Sequence, residues 1–121
     1  MARLRLKPNA PRLKDYLKVV QNIQGLSQTE EGEYVRRLKA GDEVSKRALI
    51  EAFLPMVVKW VAPLRGGHLT FASMIEAGNI AMIRALKDYA AQAEGSLAAF
   101  LEAAVTAEIL RRNAGPAQGR I

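Results

Sequence analysis

At 121 residues, half of them hydrophobic and a quarter charged, the chain suits one domain with a single core and is too short for two. It has no run of about 18 apolar residues to span a membrane, no apolar segment after its basic N-terminus to read as a secretory signal, and no cysteine for disulfides or thiolate chemistry. The net charge of +6 lies at the ends: residues 1–20 carry Arg3, Arg5, Lys7, Arg12, Lys14 and Lys18 against Asp15 alone, whereas residues 21–104 are nearly neutral. Such an arm suits an anionic partner held through its phosphates, and equally a solvated tail.

Hydrophobic spacing is helical along the chain, with no sustained period-two alternation. Residues 12–24 place Leu13, Tyr16, Leu17, Val20 and Ile23 on one stripe before Gly25. Ser27 and Glu30 have the spacing of a capping box for a second helix, which ends at Gly41. Asp42 caps a third helix that carries Leu49, Phe53, Val57, Trp60 and Val61 and is expected to kink at Pro55. Pro63 and Gly66-Gly67 form a loop, Thr70 opens a fourth helix through Tyr89, and Ser96 opens a fifth that Gly115-Pro116 should end. The expectation is an all-α, single compact domain of about five helices over residues 12–113, with a flexible basic arm at 1–11 and a disordered tail at 114–121.

Residues that carry chemistry are sparse. His68 lies in a glycine turn with no serine or carboxylate spaced as its partner and has no assigned role. Gly66, Gly67 and Gly78 lack the preceding strand and following Gly-Lys-Ser/Thr of a phosphate loop. Glu30, Glu31 and Glu33 cluster where a helix dipole favours negative charge. No enzyme, metal site or cofactor is expected.

A specific order of segments then emerges: Asp15-Tyr16-Leu17, Leu26-Ser27, Glu30-Glu31, Leu38-Lys39-Ala40-Gly41-Asp42, Leu49-Ile50-Glu51-Ala52, Val57-Val58, Leu69-Thr70-Phe71, Gly78-Asn79-Ile80 and Arg84-Ala85. Over roughly residues 13–112 this resembles the second conserved domain of bacterial housekeeping-type RNA polymerase sigma factors, with the helical segment that precedes it. The resemblance implies a cytoplasmic transcription protein whose fourth helix docks on a coiled coil of the largest subunit of core RNA polymerase. It places Ser73, Met74, Glu76, Asn79 and Arg84 at that contact. It places Tyr89, Phe100, Lys87, Arg111 and Arg112 toward promoter DNA, where aromatic rings stack on unpaired bases.

The departures fall on the DNA-facing positions. Ala103-Ala104 stand where the family has a tryptophan pair, and Ala98-Ala99-Phe100 where it has Ser-Thr-Tyr. Ala107 and Leu110 replace the Gln and Thr that read duplex bases, and Ser73, Glu76 and Ala77 replace the Asp, Gln and Glu of the polymerase face. Stacking contributes about 1–3 kcal/mol per base, so promoter melting is expected to be weakened or absent and promoter DNA a weak partner. Phe100 shares a stripe with Leu97 and Val105, which favours a core role for its ring. Two alternatives stand beside this: a sigma-like decoy or adaptor that binds polymerase without DNA, and a nucleic-acid binder that uses the basic arm.

Overall fold

The computed structural model describes residues 12–92 and 95–119. The basic arm lies outside the described residues. Among them are five α-helices and no strand: α1 Leu13–Gln21, α2 Gln28–Lys39, α3 Glu43–Val61, α4 Phe71–Gln92 and α5 Leu97–Gly119, with a 3-10 turn at Ala62–Leu64 after α3. The all-α architecture is as the periodicity predicts.

Each start but one has a side-chain cap. The Glu30 amide donates to Ser27 Oγ at 3.1 Å while the Ser27 amide donates to Glu30 Oε1 at 2.9 Å, completing the capping box of α2. Asp42 accepts from the Val44 amide, and from the hydroxyl of fully buried Ser45 at 2.6 Å. Thr70 and Ser96 accept from the amides of Ser73 and Ala99 at the starts of α4 and α5. Arg12, ahead of α1, makes no such bond.

Two helix ends differ from the sequence expectation. α1 stops at Gln21: the Asn22 amide turns to the Val19 carbonyl, and the Asn22 side chain donates to the Lys18 carbonyl at 3.2 Å, ending the helical ladder. Ile23 therefore packs from a non-helical connection. At the other end α5 continues through Gly115 and Pro116 to Gly119. Pro116 has no N–H for the carbonyl four residues back, that of Arg112, and His68 Nε2 lies 3.0 Å from that oxygen. Pro55 lies inside α3, which runs as one helix to Val61.

The core is the meeting of α3, α4 and α5. Leu49, Phe53, Val57 and Val61 form the buried stripe of α3, and Leu97, Leu101, Val105 and Ile109 that of α5. Gly78 of α4 lies between them, where an added Cβ would come within 2.9 Å of Val57 Cγ1 and 3.3 Å of the γ1 methyls of Val61 and Val105. α2 closes the bundle through Leu38. α1 rests on α3 with Tyr16 and Val20 buried, leaving a groove of about 700 Å³ lined by Leu17, Ile23, Leu26, Phe53 and Met56 among others. Trp60 packs on the inner side of α3 against Phe53, ring centroids 6.2 Å apart.

Gly78→Ala sets the helix-propensity gain of about 1 kcal/mol against an overpacking cost of about 1–3 kcal/mol. Because the nearest atom is a branched valine in the core, the cost wins. Urea denaturation should show a net loss of up to about 2 kcal/mol with helical content retained; a gain in stability would contradict this packing.

Candidate functional site

α4 presents two faces. Met74, Ile75, Gly78, Met82, Leu86 and Tyr89 turn inward. Ser73, Glu76, Ile80, Arg84 and Lys87, spaced three or four apart, form the outward row. Ile80 is 39% exposed, in contrast to the buried large apolar residues of α4. Glu76 lies one turn before it and Arg84 one turn after, giving an apolar centre between an acid and a base. Ser73 is tied to the helix start by the Thr70 hydroxyl at 3.0 Å, which fixes that end of the row.

Of the residues expected at a polymerase contact, Ser73, Glu76 and Arg84 reach this face. Met74 and Asn79 are fully buried. Met74 is part of the core. Asn79 donates through Nδ2 to the Tyr16 hydroxyl of α1 at 3.1 Å, so α1 stands between Asn79 and any partner. Burial raises the Tyr16 pKa, and the Asn79 hydrogen bond partly offsets that shift. The docked phenol thus holds its proton more tightly than a free one, and its contribution is lost as pH rises beyond the ordinary tyrosine value of about 10.

The residues expected toward DNA do not converge. Tyr89 is buried, its hydroxyl donates to the Gly95 carbonyl at 2.5 Å, and its ring meets Phe100 edge-on at 5.4 Å. The Lys39 ammonium lies 4.9 Å from the centre of the same ring. Both aromatics are engaged within the fold, as the apolar stripe of Phe100 suggests. Lys87 is exposed on α4. Arg111 and Arg112 lie about 16–18 Å further along α5 than Phe100, and both pair with Glu108, at 2.7 and 2.5 Å. Those two hydrogen bonds, Arg111 first, hold the Glu108 carboxyl below the usual range.

Sequence reasoning gave Ile80 no surface role, because an isoleucine next to Asn79 fits a core stripe as well as an exposed face. His68 and Asn113 also have structural partners. The Leu69 amide donates to Asn113 Oδ1 at 3.3 Å, and Asn113 Nδ2 donates to the Leu64 carbonyl at 3.5 Å. The Asn113 side chain fills the space beside Gly67 that a Cβ would need. With His68 on the Arg112 carbonyl, these contacts fasten the 62–69 loop to the far end of α5. Among the described residues no group of three His, Asp or Glu side chains converges as a metal site, and no helix is long and apolar enough to cross a membrane.

Fold and surface define a compact all-helical domain with a narrow mixed stripe along α4. No family model matches the chain. Over 84 residues, 69% of its length, it is 34% identical to the RNA polymerase sigma factor SigA of a Bacillus species. Over 74 residues, 61% of its length, it is 32% identical to the RNA polymerase sigma factor SigA of Clostridium acetobutylicum. These matches cover 22% and 20% of the two relatives, so the chain spans about a fifth of their length. The protein is sigma-factor-like and divergent.

Because Glu108 has a depressed pKa in the folded state, its contribution is complete above the unfolded value of about 4.3 and is lost as pH falls through the folded value. Glu108→Gln should therefore flatten the fall in stability between about pH 5 and 3. Thermal melts of both proteins across that range check this, and an unchanged slope would remove the assignment.

Proposed function

We propose that the protein is a non-enzymatic, sigma-like transcription module that docks on core RNA polymerase through the outward row of α4. The observation that carries this reading is the exposed Ile80 between Glu76 and Arg84. An apolar anchor within a polar border is the make-up of a helix that lies against another helix, as in a coiled coil. The sigma resemblance supplies the partner, the coiled coil of the largest polymerase subunit, and with it a cytoplasmic setting.

The same reading gives promoter melting a minor part or none. Alanines occupy positions 98, 99, 103 and 104. Tyr89 and Phe100 pack edge-on against each other, and turning either ring toward a base gives up contacts it already makes. Arg111 and Arg112 share Glu108, so they offer phosphates less charge than their number suggests. Binding to polymerase without promoter opening is the behaviour of a decoy or adaptor.

Ile80→Asp and Arg84→Ala test the docking face. Each should weaken binding to purified core polymerase by about 1–3 kcal/mol, roughly 5- to 150-fold, while circular dichroism stays helical. Folded variants that bind as tightly as the natural sequence would overturn the reading. For the second part, adding single-stranded promoter DNA to the polymerase complex should produce little further binding by the protein, and tight capture of the strand would restore a melting role.

A further inference from the structure

Asn79 lies at the edge of the α4 docking row, three residues after Glu76 and directly before Ile80. It is fully buried, and its Oδ1 has no hydrogen-bond partner among the described residues. Its other polar atom, Nδ2, is held by the Tyr16 hydroxyl. Half of the carboxamide is therefore satisfied by α1, and half by none of the described residues.

α1 is poorly secured. At nine residues it is too short to persist as an isolated helix, and it lacks a side-chain N-cap. A non-helical connection at residues 22–27 separates it from α2, and the groove of about 700 Å³ runs along its Leu17, Val20 and Gln21. Tyr16 and Val20 are its buried residues. Lifting α1 gives up the burial of Tyr16 and Val20 and one hydrogen bond to α4, and it exposes Asn79 Oδ1 to water or to a partner's donor. α3, α4 and α5 keep their mutual core.

We propose that α1 is a latch on the docking face, closed by the Tyr16–Asn79 hydrogen bond, and that its release adds the Asn79 carboxamide to the surface that binds the polymerase coiled coil. This rests on the docking reading above. A partner that pairs with Asn79 binds the open form alone, so its apparent affinity is reduced by the fraction of molecules that are closed.

Two variants of the full chain act in opposite directions. Tyr16→Phe keeps the ring but leaves Asn79 Nδ2 unpaired, which favours the open form. The double variant Tyr16→Phe/Asn79→Leu removes every polar group at the contact and favours the closed form. Residue-level hydrogen exchange of the free protein should show α1 amides opening independently of α3–α5, about five-fold faster in Tyr16→Phe and slower in the double variant. If α1 exchanges only when the whole domain unfolds, or if Tyr16→Phe speeds all helices alike, the latch is overturned without reference to polymerase.

Binding to core polymerase supplies the second measurement. Tyr16→Phe should bind about five-fold tighter and the double variant more weakly than the natural sequence. A purely structural role for Tyr16 predicts the reverse for the single variant. Unchanged or weaker binding by Tyr16→Phe, with its α1 exchange accelerated, overturns the coupling. Absence of binding by the natural sequence overturns the docking reading and the coupling with it, while the exchange arm still decides the latch.

Discussion

The structure depends on the absence of one methyl group. Gly78 allows Val57 and Val61 of α3 and Val105 of α5 to converge on the backbone of α4 from two sides. A glycine in mid-helix costs about 1 kcal/mol in backbone entropy relative to alanine, and the interdigitated valines offset that cost. The close approach also sets the rotation of α4. With Gly78 turned fully inward, Ile80, two residues on, is carried about 200° around the helix to the outside, and Asn79 to the flank that α1 covers. Core packing and docking geometry are one constraint seen from opposite sides of the same helix.

The two ends of the bundle are held differently. At the α4–α5 turn, Gly95 adopts a positive φ and its carbonyl receives the Tyr89 hydroxyl, so the aromatic pair closes the turn from within. At the opposite end, His68 and Asn113 hold a glycine-rich loop against α5 with side-chain hydrogen bonds. The rings and the histidine that a search for function would single out thus serve largely to close the fold. Among the described residues, the exposed row of α4 makes no comparable closing contact beyond the Thr70 cap on Ser73.

Local signals were readable from the sequence and long-range ones were not. Ser27, Asp42, Thr70 and Ser96 cap the helices they precede because a cap needs only two or three neighbouring residues. The end of α1 depends on Asn22 reaching back to Lys18, which competes with an apolar stripe that continues in sequence to Ile23. The passage of α5 through Pro116 depends on a histidine 44 residues away from the freed carbonyl. Asn79 shows the limit most clearly for the candidate site. Its sequence neighbours fit a surface contact, but its burial comes from a tyrosine 63 residues earlier. The outward row was half legible, since Glu76 and Arg84 are polar and had to face water, while Ile80 gave no sign of which way it turned.

The lone tryptophan has a consequence for how this molecule can be observed. Trp60 packs on Phe53, which also lines the groove beneath α1. Indole emission therefore reports on the α1–α3 side of the bundle, with no tryptophan on the α4 row. A ligand that settles on α4 and disturbs nothing else is optically quiet, and one that unseats the first helix changes the polarity around Phe53 and Trp60. The natural fluorescence of the protein thus separates occupancy of one surface from rearrangement of another, without a label.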